Sequence, residues 1–453
     1  ILHIDSESEE FLSKDRLSTL LNKYCKFLPV PIVFGKKQEW KDGAYVDTDE
    51  DNQINDVHPA WTKKPSELKD EDYISFYHQL YPQTFEEPLF WIHLNVDYPF
   101  NLTGILYFPK VKNQMELQRN KIQLYANQVF VTEDVEGIVP EYLTLLHGVI
   151  DSPDIPLNVS RSYLQSDAQV KKISNHISKK VADRLDELFR NERSLFEEKW
   201  ESLKVFVQYG MLSDEKFYDR AVKFDLVTDI EGKHFTLDEY RTLTEGEQTD
   251  KEGQLVWLYT NDRNSQYTAI ERAKAKGYSV LLLDGPLDVH AVSQLEQKLE
   301  KTRFVRVDSD SIDKLIAKDE QRAVSLSDVE QKALKALFEG RLPREEKRNY
   351  SVSLEALGAD ADAVLITQGE FMRRMQEMAR LQPGMNFYGE LPEGYNVVLN
   401  TEHPLILRLL ASEKEVVEPK LSTLRAELQE QSELVEAART VQSAKKPEEV
   451  CVA

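Results

Sequence analysis

An arginine stands where a polar stretch runs into a strongly patterned helix. Arg161 lies in PLNVSRSYLQ, residues 156–165, and Gln165 follows four residues later, about one helical turn away. A guanidinium carries a permanent charge and a planar fork of donors, so an arginine held in place can bind a phosphate or a carboxylate. The alternative is a surface ion pair with Asp151 or Asp154. Spacing alone favours this ion pair, because loop arginines usually end in one.

A stripe of methionines forms a second group. Four of the six methionines fall within residues 372–385, and Met372, Met375 and Met378 run with Phe371 at helical spacing. Methionine is flexible and polarisable, so the stripe could repack against varied apolar partners. It could equally be a buried helix face, because methionine also fills gaps in a core. The pattern leaves both interpretations open.

A tryptophan is the third candidate. Trp61 lies in HPAWTKKP, residues 58–65, between a polar acidic stretch and two lysines. Such a residue is either an edge packer or a solvent-facing anchor for an apolar segment of a partner.

The usual motifs of a complete enzyme site are missing from the sequence. It contains no GxxxxGK[ST], HExxH, GxSxG or CxxC motif. Cys25 and Cys451 lie far apart without metal-ligand spacing, and the nine histidines are scattered singly. We therefore predict no metal site, and this cysteine usage is typical of a reducing compartment.

Hydrophobic periodicity predicts the elements that position these residues. After Ser166 or Asp167 as the cap, a helix with one buried face is predicted from apolar residues at steps of three and four: Val170, Ile173, Ile177, Val181, Leu185 and Leu188. Extended runs at 91–98, 102–108 and 122–131 predict an antiparallel or mixed sheet.

A second pattern begins at residue 255. A strand over 255–260, a helix over 265–276 and a strand over 278–283 predict a βαβ unit. Its first turn, residues 261–264, lacks the glycines that bring backbone close to a pyrophosphate, so we expect a packing subdomain. A further strand over 350–354 and a helix over 369–381 follow. The fold class predicted is an α/β (α+β) multidomain protein.

Composition excludes some partners. The 453 residues carry a formal charge of −22, with 30% charged and 41% hydrophobic residues. Binding of nucleic acid requires a basic surface, and no stretch approaches the ~18 consecutive apolar residues of a membrane span. We therefore expect neither nucleic acid nor a membrane as a partner.

The chain opens on an apolar run at 1–4 without an initiator methionine, and we expect it to be a fragment cut inside a domain.

The stretch 129–165, which contains the arginine, resembles the middle-domain catalytic loop of the heat-shock protein 90 chaperones, in their bacterial branch. The resemblance extends over nearly the whole chain in the family's order. It includes HPAWTKKP, EPLFWIHLNVDYPFNLTGILYFPK (87–110), ITQGEFMRRMQEM (366–378) and YNVVLNTEHPL (395–405).

The resemblance implies a domain order. Residues 1–35 would be the tail of an N-terminal nucleotide-binding domain, 36–57 an acidic linker and 58–315 a middle domain. The middle domain would comprise a large α/β part (58–190), a helical part (191–250) and a small βαβ part (251–315), before a C-terminal client and dimerisation domain at 316–453. The end of that domain, KKPEEVCVA, is atypical of the family, which puts its usual homodimer in doubt here.

The resemblance also implies function. ATP with Mg²⁺ would be the cofactor of the full-length protein, with none expected in this fragment. Arg161 would reach the γ-phosphate, supported by Gln165, and client contacts would involve Trp61, Phe371, Met372, Met375 and Met378. We expect an ATP-dependent chaperone of the bacterial cytoplasm that remodels partly folded clients. The alternative is an ATP-independent client-holding or scaffold module.

Overall fold

The chain divides into two compact units. The computed structural model describes all residues except 1–2, 4, 42, 111–120, 136, 156–167, 319–321, 346–347, 382–392 and 445–453. Unit 1 comprises residues 1–228, 232–241 and 285–294, and unit 2 comprises residues 229–231, 242–284 and 295–453.

A charged hairpin follows the first helix of unit 1. Helix α1 (Lys14–Tyr24) precedes the antiparallel strands β1 (Val33–Lys41) and β2 (Ala44–Gln53). Lys36 Nζ lies 2.8 Å from Asp51 Oδ1 across the strands, and Lys37 pairs with Glu50 at the same distance. The stretch 36–57, predicted as a linker, is therefore largely a hairpin, because cross-strand pairs of opposite charge align an exposed, polar ribbon.

A mixed five-stranded sheet forms the centre of unit 1. Its strand order is β3-β4-β7-β5-β6, and only the β5–β7 pair is parallel. The strands are β3 (Phe90–Val96), β4 (Leu102–Phe108), β5 (Lys121–Ala126), β6 (Val129–Thr132) and β7 (His147–Asp151). The predicted sheet is confirmed. Short 3-10 turns occupy Ser6–Leu12, Ala60–Thr62, Pro65–Glu67 and Glu141–Leu145.

Helices complete unit 1. They are α2 (Asp70–Leu80), α3 (Ala168–Asn191), α4 (Arg193–Ser213) and α5 (Glu215–Ala221), followed by the two-stranded pair β8 (Leu226–Thr228) and β9 (His234–Thr236). All six apolar residues of the predicted stripe on α3 are buried: Val170, Ile173, Ile177, Val181, Leu185 and Leu188. Helices α6 (Leu237–Thr244) and α8 (Asp288–Lys298) fall across the division between the units.

The predicted βαβ unit lies in unit 2. Strands β10 (Leu255–Thr260), β11 (Val280–Leu282) and β12 (Thr302–Arg306) form a parallel sheet in the order β11-β10-β12. Helix α7 (Tyr267–Ala275) connects β10 to β11. Gly277 follows α7 with φ +76°, the left-handed conformation that glycine adopts readily after a helix.

A second sheet of unit 2 has the order β13-β15-β14. It consists of β13 (Arg348–Glu355), β14 (Val364–Thr367) and β15 (Glu393–Asn400). The helices of this part are α9 (Ile312–Leu315), α10 (Asp328–Glu339), α11 (Glu370–Leu381), α12 (Pro404–Val416) and α13 (Glu418–Ala444). Side chains from α10, α12, β13 and β15 form its core: Leu334, Val352, Val397, Leu399, Ile406 and Leu410.

Candidate functional site: the methionine-rich helix

Helix α11 exposes its apolar side chains. Phe371 is 72% exposed, Met372 37% and Met375 45%, and Met378 is half-buried. The stripe predicted from the sequence is therefore a surface rather than a core face. We call Phe371, Met372 and Met375 the Met-rich face.

The charged side of α11 is the docked side. Arg306, at the end of β12, is 1% exposed and donates from Nη1 and Nη2 to the two carboxylate oxygens of Glu377, at 2.9 and 2.8 Å. Asn261 Nδ2 donates to the same carboxylate at 3.1 Å. Burial opposes the charge of Arg306, but the hydrogen bonds that it donates to Glu377 and Tyr259 hold the pKa of this guanidinium above its ordinary value. A paired arginine fork is the arrangement in which a buried positive charge is tolerated.

A second contact joins the start of α11 to the same sheet. Glu370 accepts a hydrogen bond from the hydroxyl of Tyr259 on β10 and another, at 3.2 Å, from the backbone nitrogen of Arg306. Burial and the neighbouring Glu370 carboxylate raise the pKa of Tyr259 to about 12, so the phenol keeps its proton and remains a donor at neutral pH.

Arg373 and Arg374, both on α11, bind neighbouring acidic side chains. Arg374 donates from Nη1 to Glu296 Oε2 at 2.7 Å and from Nη2 to the carbonyl oxygen of Phe304 at 2.6 Å. Arg373 Nη1 lies 2.5 Å from Asp308 Oδ1. Charged residues at steps of three and four along α11 thus share one face, opposite the Met-rich face.

Arg306, Tyr259 and Glu377 were not among the site residues predicted from the sequence. One signal was available: along TRFVR, the alternation that buries Thr302 and Phe304 also points Arg306 inward. An arginine at a buried strand position requires a buried acceptor, and the carboxylates of α11 provide it.

Trp61 is fully enclosed, with 1% of its surface exposed. Its ring centroid lies 4.8 Å from that of Phe27 and 5.2 Å from that of Tyr125, and its Nε1 donates to Asp151 Oδ2 at 3.1 Å. Of the two interpretations from the sequence, the packing residue is the one that the structure shows. The buried indole therefore offers no surface for the client contact predicted for Trp61.

Arg161 and Gln165 lie outside the described residues, but the segment that precedes them is anchored. Asp151 at the end of β7 is 6% exposed and also accepts from the backbone nitrogen of Gln128 at 2.9 Å. Asp154 Oδ2 accepts from the backbone nitrogen of Asn101 at 2.6 Å. Both carboxylates considered as ion-pair partners of Arg161 thus already accept backbone hydrogen bonds.

Within the described part of the chain, no group of His, Cys, Asp and Glu side chains is arranged to hold a metal ion. No described helix combines the length and apolar character needed to cross a membrane.

Comparison with known proteins identifies the family. The sequence profile of the Hsp90 protein family matches residues 36–436. The chain is 68% identical over its whole length to the chaperone protein HtpG of Porphyromonas gingivalis, and 58% identical over 99% of its length to that of Bacteroides fragilis 638R. A third relative, HtpG of Bacteroides thetaiotaomicron, is 57% identical over 99% of the chain.

In each of these three pairs the chain spans 66% of the relative's length. The family match covers both units, including α11 and its docking strands. The chain belongs to the Hsp90 family of molecular chaperones, in its bacterial HtpG branch.

Proposed function

We propose that this chain holds partly folded client proteins on the Met-rich face of α11. The observation that carries the proposal is the orientation of this helix, whose charged side is docked and whose apolar side is exposed. A helix in a stable monomer normally buries its apolar side, and an exposed apolar surface marks a binding site.

The client chemistry follows from the side chains. Phe371 offers a large apolar ring, and the thioethers of Met372 and Met375 adapt to partners of different shape. Apolar segments that a folded protein would bury are the matching ligands. A formal charge of −22 favours solubility while such a surface is exposed.

We further propose that the full-length protein couples client binding to ATP through Arg161, supported by Gln165. Arg161 would bind the γ-phosphate, because its fork and fixed charge suit oxygens that share negative charge during phosphoryl transfer. The hydrogen bonds to Asp151 favour this role, since they hold the end of the strand that precedes the segment. Helix α3, which follows the segment, has one buried face that begins at Val170. ATP with Mg²⁺ would be bound by the nucleotide-binding domain of the full-length protein.

The second candidate function is ATP-independent client holding. It is favoured by the fact that the whole proposed client surface lies in unit 2 and includes neither of the residues considered for contact with ATP. Homodimerisation and a cytoplasmic location stay predictions from the family.

The test removes the apolar character of the Met-rich face. Reduced, carboxymethylated α-lactalbumin, which is permanently unfolded, serves as a fluorescent client in a titration with the 453-residue chain. We expect the double variant Met372→Ser/Met375→Ser to bind about tenfold more weakly, since each partly exposed methionine would contribute roughly 0.7 kcal/mol on burial. The melting temperature, followed by circular dichroism, should change little.

The matched control is Val329→Ser/Leu337→Ser, which removes two exposed apolar residues of α10 in the same unit. It should leave client affinity unchanged. Unaltered binding by the methionine variant would show that the client site lies elsewhere. A large fall in its melting temperature would show that the methionines are core residues.

A further inference from the structure

Rotation of α11 about its own axis determines what the Met-rich face presents. The helix carries charged residues at 370, 373, 374 and 377 and apolar residues at 371, 372 and 375. A rotation of about 180° around the helix axis would therefore exchange one face for the other. Periodicity alone specifies which residues share a face. It does not specify which face is docked.

The Arg306–Glu377 pair ties the second half of α11 to β12. Its two parallel hydrogen bonds, at 2.9 and 2.8 Å, constrain direction as well as distance, because a guanidinium and a carboxylate meet in one plane. The fork is held from the other side by Tyr259, whose hydroxyl lies 3.3 Å from Arg306 Nη2 and whose ring centroid lies 5.3 Å from the guanidinium carbon.

Burial makes this pair selective for one orientation. Arg306 is 1% exposed, and its strand belongs to the parallel sheet, so its side chain cannot follow a rotated helix into solvent. Turning α11 away would leave a buried guanidinium without its carboxylate, which is a costly state. An orientation that keeps the pair is the one that exposes Phe371, Met372 and Met375.

We propose that Arg306 is a positioning residue for client binding: its ion pair with Glu377 holds α11 with the Met-rich face outward. The inference rests on the proposed function, since it assigns to Arg306 an effect on the same client surface. Arg306 touches no client itself and acts through the orientation of α11.

The experiment compares variants of the pair in the client titration described above. We expect Arg306→Gln to weaken binding roughly fivefold to tenfold. Without the ion pair, α11 would adopt the docked orientation in only about 10–20% of molecules, and the apparent affinity falls by that fraction. Arg306→Lys keeps the charge without the fork and should fall between wild type and Arg306→Gln. Arg303→Gln is the matched control, because Arg303 lies on the same strand and contacts the carbonyl of Leu315 and Asp250 instead of α11.

Glu377→Gln approaches the same pair from the helix side, and it should reproduce the loss even if Arg306→Gln destabilises unit 2. The two changes remove one and the same contact, so their effects should not add. The double variant Arg306→Gln/Glu377→Gln should therefore bind client no more weakly than the single variant with the lower client affinity. A bimane label at Met375→Cys, in a Cys25→Ser/Cys451→Ser background, reports orientation: its emission should shift in Arg306→Gln and stay unchanged in Arg303→Gln.

Full client affinity and unshifted bimane emission in both Arg306→Gln and Glu377→Gln would overturn the inference. If these two variants bind client fully while Met372→Ser/Met375→Ser binds weakly, the proposed function stands and only the role of Arg306 is refuted. Full binding by the methionine variant, in contrast, removes the proposed function itself.

Discussion

Asp225 is a buried carboxyl whose charge is opposed by its surroundings. It is 5% exposed and lies near Lys204 and Asp288, which form an ion pair of 2.8 Å that Gln208 Nε2 supports by donating to Asp288 at 2.7 Å. Burial raises the pKa of Asp225 to about 7, Lys204 lowers it and Asp288 raises it further. Because Lys204 bonds directly to Asp288, its charge compensates Asp225 only partly.

This environment predicts how stability changes with pH. The ordinary pKa of an aspartate in an unfolded chain is about 3.9, so between pH ~4 and ~7 the folded state holds a proton that the unfolded state has released. The contribution of Asp225 to the free energy of unfolding therefore falls as pH rises through this window and is lowest above pH ~7.

We expect Asp225→Asn to flatten this dependence and to stabilise the protein at pH 8 by about 3–4 kcal/mol, since each unit between a pKa of about 7 and the ordinary value is worth about 1.4 kcal/mol. Urea denaturation at a series of pH values between 5 and 8 measures it. Asp219→Asn, an exposed residue of α5, is the control and should run parallel to wild type. A parallel profile for Asp225→Asn would mean that another group titrates in this range.

At the scale of elements, the crossing of α4 with α5 depends on a missing side chain. A Cβ on Gly210 would lie 2.6 Å from Cε1 of Phe217 and 3.1 Å from Cδ2 of Tyr142. Both rings are 1% exposed and pack on each other with centroids 4.8 Å apart, so neither can move aside without disturbing the core.

We expect Gly210→Ala to destabilise unit 1 by roughly 1–2 kcal/mol. Overpacking costs ~1–3 kcal/mol, and the better helix propensity of alanine returns only ~1 kcal/mol of it. Thermal unfolding followed by circular dichroism measures the change. Gly246→Ala adds the same methyl group where nothing lies within 4 Å, and its unfolding temperature should match wild type. An equal result for both variants would contradict the packing role of Gly210.

The elements differ in how well the sequence predicts them. Helix α3 was predictable because its six apolar residues recur at helical spacing and one buried face is enough to define it. The β1–β2 hairpin was missed because both of its faces are largely exposed and its strands are aligned by charge pairs such as Lys36–Asp51. Such pairs carry no hydrophobic alternation, so the stretch has the composition of a linker.

The candidate site was predicted only in part, for a related reason. The stripe of Phe371, Met372 and Met375 follows from spacing, but its exposure does not, because an amphipathic helix ordinarily docks through its apolar face. The orientation depends on Arg306 and Glu377, which are 71 residues apart in the chain. A contact over such a separation is not encoded in local periodicity.

At the scale of the whole molecule, the compact units group the chain differently from the predicted domains. The βαβ part, assigned to the middle domain from its resemblance, falls in unit 2 together with α11 and the second sheet. The boundary near residue 315 was predicted because residues 308–349 are highly charged and contain no strong strand signal, whereas compactness follows packing. The domain boundaries therefore stay predictions, and the docking of α11 on β10 and β12 is a contact within one unit.

The proposed coupling to ATP concerns the full-length protein and is tested there. We expect Arg161→Ala, in a full-length version of this chain, to reduce ATP turnover by roughly two orders of magnitude or more while ATP affinity stays nearly unchanged. Steady-state turnover and calorimetric ATP binding measure the two quantities. Arg190→Ala, an exposed arginine on α3 paired with Asp186, is the control. A large loss of affinity in Arg161→Ala would count against a role in the transition state.

The exposure of Met372 and Met375 has a chemical consequence. A thioether open to solvent can be converted by peroxide to a sulfoxide, which is polar and chiral, while enzymes that reduce methionine sulfoxide reverse the change. Conversion at these two positions would make the Met-rich face more polar without altering the sequence or the ion pairs on the opposite side of the helix. The same thioethers that would adapt this surface to varied clients therefore also make it sensitive to oxidants.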